Sequence, residues 1–339
     1  MASSVPGRRP ALIVTRTPMR VSFAGGGSDL PAFYEKDHGA VLSSAIDKYI
    51  WVTVKRHSEV FDEPVRINYS LTEQVDTVGE VRNDITRECL QLLDIEPPIY
   101  ISTVGDLPAS TGLGSSSAFA VGLLNALHLY RGDRVSAGQL AEEACQIEID
   151  VLGQPIGRQD QYAAAFGGLN LFTFKPGGSV TVEPQRMPAR VLMELFESVM
   201  LFWTGHQRDA SSVLIEQSAN TDRHVDDLTA IREQAYELQD VLRGHPSPRD
   251  LGAIIHRGWE LKRGLAASVS NPQIDDWYGR AMACGAYGGK IAGAGNGGFL
   301  LLVVDHEHQA AVRSALAELR EVSVRPEVHG SQIMLPLMD

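Results

Sequence analysis

The segment Leu107-Pro108-Ala109-Ser110-Thr111-Gly112-Leu113-Gly114-Ser115-Ser116-Ser117-Ala118 constrains this chain more than any other. It follows a short apolar strand, Tyr100 to Val104, and precedes the apolar stretch Ala118 to Leu129, which reads as a helix. The order is strand, loop, helix, and the loop is almost wholly small side chains that let a ligand approach the backbone. A helix opening there offers free N–H groups and a partial positive charge to phosphate, and the serine hydroxyls suit phosphate oxygens or a metal ion. A flexible serine-glycine turn has the same composition. No Gly-Lys-Ser/Thr follows, so this is not a Walker loop.

A chain of 339 residues has the length of roughly two domains and can bury a core without disulfides or metals. Thirty Lys and Arg against 42 Asp and Glu give a net charge of −12, and the basic residues form no long block. Nucleic acid is therefore not an expected partner, and an anionic ligand needs local compensation. Cys89, Cys145 and Cys284 lie far apart without metal-ligand spacing, as expected for reduced, buried cytoplasmic thiols. The longest apolar runs, such as Phe299 to Val304, are too short to span a bilayer, and Met1 to Pro10 lacks a signal-peptide core. The expectation is a cytoplasmic protein with no membrane partner.

Strand-like runs dominate the start: Ala11 to Thr15, Val41 to Ala45, Tyr49 to Lys55 and Val65 to Tyr69. Ser136, with Gln139 as capping-box partner, predicts a helix through about Val151. Lys175 to Pro188 is rich in Pro and Gly and is taken as the seam between two units, 11–185 and 186–339. Beyond it, Ala210 to Leu242 reads as one long polar-faced helix. Ser247-Pro248 and Asn271-Pro272 should each start another, Phe299 to Val304 a buried strand, Gln309 to Leu319 a helix and Ser331 to Leu337 a last strand.

Two further glycine-rich segments stand out. Gly293-Ala294-Gly295-Asn296-Gly297-Gly298 formally satisfies the dinucleotide fingerprint, which would make the chain a dehydrogenase. That fingerprint needs a strand before it and a helix after it, whereas a helical stretch through Cys284 is expected to precede and a strand to follow. A tight turn packed closely on another loop fits better. Pro18 to Asp29 sets Arg20 and Asp29 on either side of a triple glycine, either a sharp bend or a bend whose carboxylate holds a polyol's hydroxyls. Glu148 shares a helix face with Ala141, Ala144, Cys145 and Leu152 and so needs a partner, either a cation such as Mg²⁺ or a structural ion pair. Asp160 is expected in the first turn of a helix running to Phe166, where it caps or stays ionised for chemistry.

Taken in order, these segments resemble the GHMP small-molecule kinases, relatives of galactokinase, homoserine kinase, mevalonate kinase and phosphomevalonate kinase. Pro18 to Asp29 resembles the first family motif, Pro108 to Ala118 the Pro-x-x-x-Gly-Leu-Gly-Ser-Ser phosphate loop, and Lys290 to Phe299 the third. The three span positions 18 to 299, and their joint occurrence is far more specific than any one alone. Asn296 departs from the pattern, where a fourth glycine is commoner. Within the family, Ala24 to Pro31 and Thr204 to Arg208 are most similar to bacterial enzymes that phosphorylate the anomeric oxygen of D-glycero-D-manno-heptose 7-phosphate.

The resemblance implies an α+β, two-domain fold. Its N-terminal α/β domain would be like a ribosomal-protein domain, its C-terminal domain ferredoxin-like, with the active site between them. It implies ATP and Mg²⁺. Pro108, Ser110, Thr111, Gly112, Leu113, Gly114, Ser115, Ser116 and Ser117 would surround the ATP phosphates, and Ser116 and Glu148 would hold the metal. Asp160 would stand beside the acceptor hydroxyl, as base or only to orient it, and Arg20 matches the basic residue of motif one. Gly26, Gly27, Ser28 and Asp29 would face the sugar, with Gly293 and Gly295 closing the site from the second domain. A sugar phosphate needs its own cationic pocket, for which His206, Arg208, Lys262 and Arg263 are candidates, although Lys262 and Arg263 read more readily as the solvated side of a helix. A free-sugar kinase and a non-catalytic sugar and nucleotide sensor are the alternatives. The helices of the second domain could form a homodimer face or stay wet.

Overall fold

In the computed structural model, which describes residues 10–205, 210–244 and 246–338, apolar residues at alternate positions build two sheets. The strands are β1 (Pro10–Ala24), β2 (Gly39–Arg56), β3 (Val65–Asn68), β4 (Thr72–Val75), β5 (Ile99–Gly105), β6 (Leu169–Phe174), β7 (Val180–Pro184), β8 (Val199–Trp203), β9 (Ala286–Ile291), β10 (Phe299–Val304), β11 (Arg320–Val322) and β12 (Gln332–Met338). An eight-stranded sheet runs β12-β1-β2-β5-β3-β4, with β6 on the other half of β2 and β7 beside it. The second sheet runs β11-β8-β10-β9 and is antiparallel throughout. The architecture is α+β.

Several expected elements merge, break or move. The strands expected at Val41 to Ala45 and Tyr49 to Lys55 are one strand, β2, whose pairing with β1 shifts register between Pro18 and Met19. The expected seam over 175–188 holds a hairpin: Lys175 to Ser179 is its turn and β7 returns along β6. Its prolines and glycines mark a turn rather than a linker. β12, assigned above to the second unit, pairs with β1 in the first sheet. The single helix expected over Ala210 to Leu242 is two, Ala210–Ala219 and Val225–Arg243, separated by a turn at Thr221–Arg223. There the Thr221 hydroxyl donates to the Gln217 carbonyl oxygen and Asn220 reaches across to Leu265. The helices begin after Ser247 and Asn271 as expected, each side chain accepting from the helix's first N–H groups.

β10 is buried along its whole length because both faces are covered. Phe299, Leu301 and Val303 join the core beneath the first sheet with Leu42, Val52 and Leu123. Leu300, Leu302 and Val304 pack on the other side with Trp259 and Trp277. The helix Ser115–Arg131 lies on β1 and β2, while Pro248–Leu265 lies on β9 and β10 and also touches β1. Residues from both sheets thus share one core, which fixes the cleft between them. Cys89 and Cys145 are buried as expected, Cys284 only half so. No helix among the described residues is long and apolar enough to cross a membrane.

Candidate active site

The walls of the cleft are breaks in regular structure. β1 ends at Ala24, and the turn that follows aims Asp29 inward. The Gly27 N–H donates to Asp29 Oδ1 at 2.9 Å, and Gln159 Nε2 donates to Oδ2 at 2.9 Å. Ser28 departs from its expected place at the sugar. Its side chain is wholly buried, donating to the Gly25 carbonyl oxygen at 2.8 Å and accepting from the Ala40 N–H at 3.0 Å, so it shapes the turn. Gly27 lines the cleft, whereas Gly26 is half-buried with the Gln159 amide as a neighbour.

The helix Ser115–Arg131 starts after Gly114 with no side-chain cap, leaving its first N–H groups open toward a cavity of about 190 Å³. Ser110, Gly112, Gly114, Ser115, Ser116 and Ser117 form one side; Ala292, Ala294, Gly295 and Gly297 face them. Thr111 and Leu113 are wholly buried and do not line the cavity; the loop around them turns through left-handed backbone at Ser110, Gly112 and Gly114. Pro108 is exposed and does not line this cavity. Gly112 has φ +81°, and a Cβ there would lie 2.3 Å from the Ala292 carbonyl oxygen, so the phosphate loop and the third glycine segment interlock backbone to backbone. That segment is a turn between β9 and β10. A strand precedes it, not the expected helix, but no helix follows, and the dinucleotide fingerprint fails on that count. Gly295 lies on the phosphate-loop side and packs on Val269, while Gly293 faces the acceptor side.

Asp160 sits in the first turn of the helix Gln159–Phe166, as expected. Arg20, from β1 and almost fully buried, places Nε 2.7 Å and Nη2 2.6 Å from Asp160 Oδ1, and its Nη1 donates to the Gly112 carbonyl oxygen at 2.6 Å. One guanidinium therefore ties the acid to the phosphate loop. Burial pushes the Asp160 carboxyl above the usual range, Arg20 pulls it back, and the nearby Asp29 charge pushes it up again. Oδ2 is the oxygen turned toward Gly114.

Glu148 lies in a π-helical turn, Gln146–Val151, that extends the helix Ala137–Cys145. Ser136 caps this helix as expected, but Gln139 bonds to Glu143 and does not complete a capping box. Wholly buried, Glu148 accepts from Ser116 Oγ on one oxygen and from Gln161 Nε2 at 2.7 Å on the other. Among the described residues no arginine, lysine or histidine pairs with it, so the structural ion pair is not formed. Burial raises its carboxyl, and the bonds from Ser116, Ser117 and Gln161 oppose the rise.

A second cavity, of about 110 Å³, is lined by Arg20, Gly27, Asp29, Gln159, Gln217, Lys262 and Gly293. It adjoins the first, and both are bordered by Gly112, Ile156, Asp160 and Ala294. Lys262 corrects the expectation of a solvated side chain: it is 8% exposed and donates to the Gly293 carbonyl oxygen at 2.6 Å. Burial lowers its pKa to about 8, with Asp29 and Asp160 opposing and Arg20 assisting. Arg263, one residue on, is on the wet side and pairs with Glu260 and Asp275. His206 and Arg208 lie outside the described residues.

Other participants were not singled out by sequence. Lys290, expected only as part of a motif, is buried and reaches from β9 to β1, donating to Ser22 Oγ at 3.2 Å. Gln159, Gln161 and Gln217 carry no spacing signal. A third, largely apolar cavity of about 340 Å³ opens beside Ser110, Ser115 and Ser116, walled by Ile50, Tyr69, Ile85, Leu107 and Phe119. One side of it is the phosphate loop itself, and the rest comes from residues far from that loop in sequence, Ile50, Tyr69 and Ile85, which share no motif. No cluster of three or more His, Cys, Asp or Glu fit to hold a metal occurs among the described residues.

Comparisons with known proteins show the family and the fold. The GHMP kinases N terminal domain matches residues 78–168 and the GHMP kinases C terminal domain residues 226–321. The chain is 30% identical over 304 residues to a D-glycero-alpha-D-manno-heptose 7-phosphate kinase of Campylobacter jejuni, covering 86% of this chain and 89% of that one. It is 26% identical over 347 residues to a galactokinase of Pyrococcus furiosus, covering 91% and 93%. Among solved structures, a D-glycero-D-manno-heptose 1-phosphate kinase from Bacteriodes thetaiotaomicron superposes with a TM-score of 0.78 at 24% identity, over 95% of this chain and 99% of that one, which speaks to the fold.

Proposed function

Since the chain belongs to the GHMP kinases and is an ATP-dependent sugar kinase, we propose that it transfers the γ-phosphoryl group of ATP to the anomeric hydroxyl of D-glycero-D-manno-heptose 7-phosphate. The observation that carries this reading is the junction of two cavities at Asp160, one floored by an uncapped helix N-terminus and the other by Asp29, Gln159 and Lys262. A triphosphate over the open N–H groups, with its base in the apolar cavity beside Phe119, directs the γ-phosphate toward that junction. The sugar is suggested by the similarity to the Campylobacter jejuni enzyme.

Phosphoryl transfer demands alignment and charge neutralisation more than covalent help. Arg20 meets both demands, holding Asp160 in place and adding positive charge beside the loop. Lys262 adds a second cation from the other domain. Asp160 orients the acceptor hydroxyl and takes its proton on Oδ2, since Oδ1 is engaged by Arg20; an anomeric hydroxyl is more acidic than an ordinary alcohol, which suits a carboxylate base. Ser116 and Glu148 would hold Mg²⁺. Hard oxygen donors with a single carboxylate suit an ion that keeps waters and phosphate oxygens, and Glu148 is a buried acid without a basic partner among the described residues. When bound, the ion neutralises charge on the transferred group. The phosphate already on the sugar is assigned to His206 and Arg208 from sequence similarity.

An ADP-release assay over a sugar panel tests the proposal. Heptose 7-phosphate should exceed the unphosphorylated heptose and common hexoses in kcat/KM by roughly a hundredfold, the scale of losing a charged hydrogen-bonded group. Turnover of galactose or fucose as efficient as that of the heptose phosphate would replace it with a free-sugar kinase.

A further inference from the structure

Gln217 lies on the helix Ala210–Ala219 of the second domain, 1% exposed, and among the described residues neither its side-chain nitrogen nor its side-chain oxygen has a hydrogen-bond partner. A buried carboxamide with both ends unpaired is rare, because each end forfeits its hydration. This one lines the acceptor cavity. Another residue of the lining repeats the pattern: Gln159 spends its Nε2 on Asp29 and leaves its Oε1 buried without a partner among the described residues. Gly27 makes the arrangement sterically feasible, since a Cβ at that position would lie 2.5 Å from Gln217 Nε2.

These loose ends define a ligand chemistry. Gln217 Oε1, Gln159 Oε1 and the Asp29 carboxylate all accept, and Gln217 Nε2 donates. The cations on the same lining are engaged elsewhere, Lys262 with the Gly293 carbonyl oxygen and Arg20 with Asp160 and Gly112; against the four groups beside Gly27, a phosphate, which only accepts at neutral pH, would satisfy the one donor and face three oxygens. A polyol edge, whose hydroxyls donate and accept at once, satisfies all four groups. We propose that Gln217 is a specificity-determining residue that reads a pair of sugar hydroxyls, with Gln159 and Asp29 completing the set, so that this end of the cavity takes the neutral hydroxyl edge of the acceptor. This rests on the reading of the cavity as the acceptor site. It adds that the sugar's own phosphate points away from Gln217.

The test compares wild type with Gln217→Met, which keeps length and removes both polar ends, and with Gln217→Glu, which keeps the acceptor alone. Initial rates are measured with ATP and with heptose 7-phosphate and its monodeoxy counterparts, or with whichever panel sugar wild type turns over best. Gln217→Met should raise the sugar KM roughly tenfold, the loss of two neutral hydrogen bonds, with the ATP KM and kcat within about twofold of wild type. One deoxy sugar that wild type discriminates against should be used by Gln217→Met as well as the parent sugar, and Gln217→Glu should fall between. An unchanged ratio of parent to every deoxy sugar in a folded Gln217→Met protein, judged by its circular dichroism and melting, overturns the assignment; so does an equal rise in the ATP KM. If wild type favours a sugar other than the heptose phosphate, the proposed substrate fails while the Gln217 comparison still stands on that sugar.

Discussion

Asp160→Asn separates the charge of the acid from its position. Arg20 contacts Oδ1 twice, at 2.7 and 2.6 Å, and an asparagine oxygen can keep both bonds. The amide then stands where Oδ2 faces Gly114, presenting a donor to the acceptor hydroxyl where the wild type presents a proton acceptor. The side chain is 22% exposed, so weakening its bonds to a charged partner should cost only about 1–2 kcal/mol of stability. Turnover should fall by roughly two to four orders of magnitude, about 3–5 kcal/mol of barrier, with the sugar KM nearly unchanged. Because burial raises the Asp160 carboxyl, the acidic limb of kcat/KM in wild type should sit above the ordinary aspartate range, with activity lost as pH falls through it, and that limb should vanish in the variant. ADP release at saturating ATP, followed from acidic to neutral pH, reads both. A variant within tenfold of wild-type turnover, or one that keeps the acidic limb, refutes the base role.

Gly112→Ala sets a Cβ 2.3 Å from the Ala292 carbonyl oxygen at φ +81°, so it should destabilise the protein by about 3 kcal/mol and raise the ATP KM, seen as a lower Tm and in initial rates. Lys262 is a cation below about pH 8 and neutral above, so wild-type kcat/KM for the sugar should decline as pH rises through 8, whereas Lys262→Met should be lower at pH 7 and flat. The unfolded lysine keeps its proton to higher pH, so wild type should also gain stability relative to Lys262→Met between about pH 8 and the ordinary lysine range, measured by denaturant titration. Glu148→Gln should raise the Mg²⁺ concentration for half-maximal activity roughly tenfold with the sugar KM unchanged, in a metal titration of the ADP-release rate.

What sequence determined here is local. The small residues of 110–117 can make only a tight loop before a helix, and Ser136, Ser247 and Asn271 announce helix starts because a capping side chain acts within three residues of itself. Asp160 in a first helical turn and the close packing of the glycine-rich 293–298 segment were legible for the same reason. The tertiary structure decided which local features meet. Nothing near position 262 distinguishes Lys262 from its neighbour Arg263, yet the way Pro248–Leu265 packs on β9 buries one against Gly293 and leaves the other wet. Ser28 looked like a sugar ligand until the return of β2 brought Ala40 to its hydroxyl. Ser116 and Gln161 on the Glu148 carboxylate, Gln217 over Gly27, and the apolar wall from Ile50 to Phe119 all join residues dozens of positions apart. Short-range hydrogen bonding and sterics write themselves into neighbouring residues, whereas burial and charge pairing depend on surfaces that come together only when both sheets close on a common core.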